Sequence, residues 1–322
     1  PMNTIEPKLL TELIHADYDS LMGFRVRRIL MICSNYDAFI LEEDGQIETQ
    51  IYREYIDLNL STPPTFIWVQ TSAEAREMLQ TTVGIDMIIC MYNVGDKDIF
   101  TFANELKQRS KDIPFVLLTH FSKEIYRRIA LQDTSAVDYM FSWHGNADLI
   151  VAIIKLFEDL KNAENDILDK GVQAILLVED SVRFYSTYLP ELYKLVLKQS
   201  SEFLKETLNE QQRKFRKRSR PKILLATNLD DALNMYSKYK HNLLGVISDV
   251  GFTVHKDDSP EMEKLDAGIE LVRHIKADNE KMPILLQSSQ DSISSVPQEL
   301  GVGFLRKYSK TLMLQLSEYI RD

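Results

Sequence analysis

Short, continuous apolar runs alternate with amphipathic stretches along most of the 322 residues, and the series occurs twice. In the second half the runs are AILLVED (174–180), KILLATN (222–228), LLGVISD (243–249), PILLQSS (283–289) and GFLRK (303–307). The first half repeats the order with RILMIC (28–33), TFIWVQT (65–71), DMIICM (86–91), PFVLLTH (114–120) and VDYMFS (137–142). Runs this short, without polar alternation, predict strands buried on both faces. The stretches between them, such as LDDALNMYSKY (229–239) and AGIELVRHIK (267–276), predict covering helices. Repeated βα units of this kind predict two doubly wound α/β domains with parallel sheets. A repeat of about 140 residues is a domain duplication rather than the short period of a solenoid.

The segment NADLIVAIIKLFEDLKNAENDILDKG (146–171) predicts a helix joining the two halves, with Asn146 as N-cap and Gly171 as the C-terminal stop. Ile150, Ile153, Ile154, Phe157 and Leu160 form its expected buried stripe. After Asp180 the chain takes about forty residues to reach the next strand, which predicts an extended helix from around Pro190 through Phe215, with Leu192, Leu195, Val196, Phe203, Leu204 and Leu208 in partial helical spacing. An insertion after Asp249, FTVHKDDSPEMEKLD, is polar enough for a surface loop. The expected division is an N-terminal helical arm at 1–27, a first domain at 28–170, and a second at 171–322 with an extended first helix.

Composition narrows the function classes. No apolar run reaches the roughly 18 residues of a membrane span, and the start, PMNTIEPKLLTELIHADYDS, lacks the pattern of a secretory signal. Only two cysteines occur, Cys33 and Cys90, so a reducing cytoplasm is the expected location. Residues 1–170 carry a net charge of −11 and residues 171–322 of +1. A net acidic chain is a poor general nucleic-acid binder. The local run RKFRKRSR, with Arg213, Lys214, Arg216, Lys217, Arg218 and Arg220, reads either as a solvated helix end or as a site for an anionic partner.

Functional groups of a doubly wound sheet gather at the carboxyl ends of its strands. In the second half that rule selects Glu179 and Asp180 after the first strand, Asp249 at the third, Ser288 at the fourth and Lys307 at the fifth. Carboxylates about 5 Å apart repel by roughly 3 kcal/mol at an effective dielectric near 20, so a cation must sit among them. Lys307 offsets part of this; Mg²⁺, a hard ion that takes oxygen ligands, offsets more. Glu179, Asp180, Asp249 and the backbone carbonyl of Gly251 are the expected ligands. Asp249 is then positioned to attack a phosphoryl group, with Lys307 and Ser288 on the phosphoryl oxygens.

These residues resemble the receiver domain of two-component response regulators over roughly 172–322: the acidic pair in LVEDS, Asp249 in ISDVGF, Ser288 in PILLQSS and Lys307 in FLRKYS. The resemblance implies flavodoxin-like sheets of order 2-1-3-4-5, a phosphoacceptor role for Asp249, and Ser288 and Phe304 as switch residues. It implies a histidine kinase or small phosphodonor as partner, an attached or associated output domain, and no catalysis by this segment itself. Tyr308 stands where that family usually has proline. The first half resembles a degenerate receiver, with Cys33-Ser34 at the acidic pair, Met91 at the phosphoacceptor, Thr119 at the hydroxyl and Ser142 at the lysine. The whole chain is similar to the N-terminal region of bacterial proteins that place two receiver-like domains before a part resembling phosphoenolpyruvate synthase and pyruvate phosphate dikinase; YDAFILEEDG and LVEDSVRFYSTYLPELY carry that likeness, and the end at EYIRD is where such a fusion would be cut.

Other chemistry has little support. Cys33 and Cys90 read as core thiols, and His120 and His144 as strand-end polar residues outside any ligand spacing. No Gly-rich phosphate loop follows a first strand. ISDVGF lacks the second aspartate of an aspartyl-phosphate hydrolase. The competing function is a phosphorylation-independent scaffold, in which the α/β surfaces and the long helix, with its stripe around Leu204 and Leu208, mediate assembly, with a homodimer as one form.

Overall fold

The computed structural model describes residues 21–34, 47–58, 60, 62–92, 98–120, 122–202, 220–289 and 299–307. Among these residues, ten strands form two all-parallel five-stranded sheets. The first is ordered β2-β1-β3-β4-β5 and comprises Arg28–Ile32, Thr65–Val69, Met87–Met91, Phe115–Thr119 and Tyr139–Ser142 as β1 to β5. The second repeats the same winding as β7-β6-β8-β9-β10, with Ala174–Val178, Lys222–Ala226, Leu243–Asp249, Ile284–Ser288 and Gly303–Arg306 as β6 to β10. Both are doubly wound α/β arrangements, as the paired strand series predicts, and their flavodoxin-like order is the one the receiver resemblance implies. β3, β4, β6, β7 and β9 are buried at every position, which accounts for their continuous apolar runs.

Among the described residues, helices follow most of the strands and lead to the next parallel one. Ser72–Thr81 starts at Thr71, whose side chain accepts a hydrogen bond from the Glu74 amide, and Leu229–Tyr239 starts at Asn228, which accepts from the Asp231 amide. These caps satisfy amide groups that the first helical turn leaves unpaired. Ala267–Asp278 covers the second sheet with Leu271, Val272 and Ile275 in its core. In the first sheet Ile99–Arg109 does the same with Phe102, Ala103 and Leu106.

The chain forms two compact units, one of Val26–Phe157 with Ser181–Glu191, the other built on Glu158–Asp180 and the chain from Leu192 onward. The division falls within two helices. One is Ala147–Ala163, where Ile150, Ile153, Ile154 and Phe157 are buried as their spacing predicts and Leu160 is partly buried. It continues as a π-helical turn, Glu164–Asp169, and ends at Gly171 with φ +72°, a conformation that favours glycine.

The other is Val182–Glu202, and it corrects the sequence expectation. The helix begins directly after the acidic pair, eight residues before Pro190, which lies inside it. The expected start is around Pro190; an interior proline lacks its amide hydrogen bond and crowds the carbonyl four residues earlier, so the surrounding turns must be held from outside. They are held here by Tyr185, whose hydroxyl donates to the Met140 carbonyl, and Ser186, whose hydroxyl accepts from the Ser142 amide at 2.8 Å. Phe203, Leu204, Leu208, Phe215, the arm at 1–20 and Tyr308 lie outside the described residues.

At the amino-terminal edge of the second sheet sits a buried charge network. Asp159, fully buried, accepts from Arg220 through both guanidinium nitrogens at 2.9 and 3.2 Å, from the Tyr193 hydroxyl at 2.7 Å and from the Ile223 amide at 2.9 Å. Lys222, also fully buried, meets Asp166 at 2.9 Å, and Asp166 accepts from the Met22 amide at 3.0 Å. Arg220 is therefore neither a solvated helix end nor open to an anionic partner; the rest of the RKFRKRSR run, 213–219, lies outside the described residues. Burial drives the Asp159 carboxyl up, but Arg220 and Lys222 outweigh it and hold Asp159 below the usual carboxylate range. Removing one side of such a pair leaves a buried uncompensated charge. Asp159→Ala is expected to destabilise the protein by about 3–5 kcal/mol in urea unfolding at pH 7, with Asp159→Leu/Arg220→Met losing much less; equal losses in both would contradict this network's role.

Candidate functional site

Strand register assembles the site. Val178 pairs with Ser248, Asp249 with Gln287, and Ser288 with Arg306, so Glu179, Asp249, Ser288 and Lys307 arrive side by side at the carboxyl ends of β6, β8, β9 and β10. The Lys307 amide donates to the Ser288 carbonyl at 2.9 Å, extending the ladder one residue past the strand. β6 and β8 flank the point where the strand order reverses, the place where ligands of open α/β sheets bind.

The Lys307 ammonium lies 2.7 Å from Glu179 Oε2 and 2.7 Å from Asp249 Oδ2. Glu179 is fully buried and the Lys307 side chain is 8% exposed. Burial works against the ammonium charge, yet Glu179 and then Asp249 outweigh it and raise the Lys307 pKa. The other Asp249 oxygen, Oδ1, accepts from the Val250 amide at 2.8 Å. Close packing against this turn comes from Gly268: a Cβ there would stand 2.1 Å from the Asp249 carbonyl, so only glycine lets the helix Ala267–Asp278 approach.

Asp180 completes the acidic group. Glu179, Asp180 and Asp249 each present a carboxylate oxygen within 4.8 Å of the others. Desolvation, followed by the Asp249 charge, pushes the Asp180 pKa up from 3.8 to about 6; a hydrogen bond from the Thr253 amide at 3.1 Å opposes the rise. The donor set suits a hard divalent cation: three clustered carboxylates, one of them reluctant to ionise until positive charge arrives. Gly251, expected to offer its carbonyl, lies two residues after Asp249 in the turn that follows β8. Ser288 is buried at the end of β9, and Phe304, partly buried on β10, packs on the core of the second unit.

The first unit has the same strand ends with different chemistry. Cys33 and Ser34 follow β1, and Met91, Thr119 and Ser142 end β3, β4 and β5. All but Ser34 are buried. The Ser142 hydroxyl meets His144 Nε2 at 3.2 Å. Burial raises the Tyr126 phenol, opposed by the neighbouring Thr119 and Ser142 hydroxyls. Cys33 and Cys90 are buried and form no disulfide, consistent with core thiols. Among the described residues, the second unit holds the only group of three acids, histidines or cysteines able to share a metal ion.

One charged neighbour was not foreseen. Glu263, from the insertion, adds to the rise of the Asp180 pKa and approaches Gly251. Its loop has no periodicity, so only its acidic composition hinted at it. The insertion is a surface loop over most of its length, but Phe252 and Thr253 at its start are buried.

No family model matches the sequence, and comparison with curated proteins found no match. Two solved structures of two-component system response regulator/GGDEF domain proteins are similar at 16% and 15% identity, each with a TM-score of 0.35 and covering 92% of this chain and 98% of the other. A LacI transcriptional regulator from a Rhodococcus species is similar at 6% identity and a TM-score of 0.25, covering 92% and 88%. At these values none of them assigns a residue role to this chain. No helix among the described residues is long and apolar enough to cross a membrane.

A carboxylic acid whose folded pKa exceeds its unfolded value costs no stability below the unfolded pKa; the cost grows as pH rises through the folded pKa and is complete above it. For Asp180 this window runs from about 4 to 6, and the shift corresponds to roughly 3 kcal/mol. Asp180→Asn is expected to raise stability in metal-free buffer at pH 7.5 and to give a much smaller gain at pH 4.5, as read by chemical unfolding. A gain independent of pH would refute the electrostatic origin of the shift.

Proposed function

We propose that the second domain, residues 171–322, is a phosphoacceptor receiver that carries a phosphoryl group on Asp249, and that the first, residues 28–170, is a receiver-like domain without that chemistry. The observation that supports this most is the Lys307 ammonium held at 2.7 Å from both Glu179 and Asp249, with Asp180 completing an acidic group at the strand ends.

In this reading Asp249 attacks the phosphorus of the donor through a carboxylate oxygen. The new O–P bond gives an aspartyl phosphate, while the bond from phosphorus to the donor breaks and its electron pair leaves with the donor. Lys307 is already charged and buried beside Asp249, so it can transfer its hydrogen bond from the carboxylate to a phosphoryl oxygen with little solvent reorganisation. Ser288 donates its hydroxyl to another such oxygen. Glu179 also holds the ammonium, and Glu179, Asp180 and Asp249 would hold Mg²⁺, joined by the Gly251 carbonyl. Bound Mg²⁺ supplies positive charge that lets these carboxylates and a phosphoryl group share the pocket.

The functional consequence is a shift between two conformations. Once Ser288 moves toward the phosphoryl group, Phe304 on the adjoining strand gains room to turn inward, and the surface around β9 and β10 changes. A histidine kinase or small phosphodonor would supply the phosphoryl group, and an attached or associated output domain would read that surface; the phosphoenolpyruvate synthase-like part of similar fusion proteins is one such output.

Incubation with acetyl phosphate and Mg²⁺ is expected to add one phosphoryl group per chain by intact mass, with none added to Asp249→Asn and at least tenfold slower addition to Lys307→Ala. An unmodified wild type, or an equal adduct in Asp249→Asn, would exclude the proposal.

A further inference from the structure

The insertion 252–266 begins and ends against the phosphoacceptor turn. Phe252 and Lys264 exchange backbone hydrogen bonds at 3.2 and 3.0 Å, and the Gly268 amide donates to the Val250 carbonyl at 2.8 Å. Its outgoing leg is held as well: the Leu229 and Asp230 amides donate to the carbonyls of Thr253 and Val254 at 2.9 and 3.1 Å, and His255 Nδ1 meets Asp230 Oδ2 at 2.6 Å. Both legs are pinned, so the residue before the closing pair has a defined address.

That residue is Glu263. Its Oε1 lies 2.5 Å from the point a Cβ on Gly251 would occupy, so an exposed carboxylate fills the space that the missing side chain leaves beside the cation site. A methyl group at Gly251 would displace it, because a carboxylate at the end of a flexible side chain is the part that yields. The remaining neighbours of that point, Leu265 Cα and O, are at 3.4 Å and leave room.

Resting on the phosphoacceptor reading above, we infer that Glu263 is a positioning residue for the cation: it stands outside the Glu179, Asp180 and Asp249 group and strengthens uptake of Mg²⁺ by charge, without ligating it. Gly251 is the permissive partner. The insertion is then part of the site's electrostatics.

Taking the separation of Glu263 from the cation as about 8 Å, a unit charge in water-like surroundings changes the affinity for a divalent ion by about fivefold. Calorimetric titration of the full chain with Mg²⁺ at low ionic strength is therefore expected to show about fivefold weaker binding for Glu263→Gln. In high salt the difference should shrink below about twofold, because exposed charges are screened over a few ångströms at 1 M. Gly251→Ala should weaken binding too, and add nothing on top of Glu263→Gln, since both act through one carboxylate. Wild-type affinity in Glu263→Gln or in Gly251→Ala, additive losses in the double variant, or a loss that persists in high salt would each overturn the inference. If Glu263→Gln binds as wild type while Asp249→Asn binds more weakly, this inference fails and the phosphoacceptor reading stands; absence of Mg²⁺ uptake by the wild type would remove both.

Discussion

Three carboxylates within 4.8 Å of one another cannot all stay ionised in a partly buried pocket unless positive charge is built in, and Lys307 is that charge. Lys307 joins the ends of three strands: its ammonium meets Glu179 after β6 and Asp249 at the end of β8, and its backbone amide donates to the Ser288 carbonyl at the end of β9. The contact is therefore both electrostatic and topological. It depends on the sheet order, because only that winding brings β6, β8, β9 and β10 into neighbouring positions.

The compensation is incomplete. Lys307 answers Glu179 and Asp249, which leaves Asp180 to carry its ionisation against burial and against Asp249, with its pKa pushed to about 6. Sites that retain this kind of unrelieved repulsion are costly to the fold and are usually kept for chemistry. By contrast, the network of Asp159, Asp166, Arg220 and Lys222 at the opposite edge of the same sheet pairs each acid with a base in full burial. One sheet thus carries a balanced charge cluster at its amino-terminal edge and an unbalanced one at its carboxyl edge.

Much of this was legible in the residues. Apolar runs such as AILLV and KILLA are strands because every position in them is buried, and their doubling along the chain gave two sheets. Glu179, Asp180, Asp249, Ser288 and Lys307 could be found because strand ends are fixed by the runs that precede them. What escaped depended on partners distant in sequence. Pro190 looked like a helix start because the hydrogen bonds that hold its helix come from Met140 and Ser142, some forty-five residues earlier. Arg220 looked solvated within a basic run until Asp159, on the joining helix, proved to be its partner. Glu263 sits in a loop whose path is set by two backbone bonds to Phe252, which no periodicity records.

We propose Asp249, among all the carboxylates of the chain, as the one made nucleophilic toward phosphorus by its setting. Borohydride reduces an acyl phosphate to an alcohol and leaves free carboxylates unchanged, so peptide mapping after treatment with a phosphodonor, Mg²⁺ and borohydride locates the acceptor directly. Conversion confined to Asp249 and dependent on Mg²⁺ is the expected result. Conversion at another acid, or at none, would contradict the account.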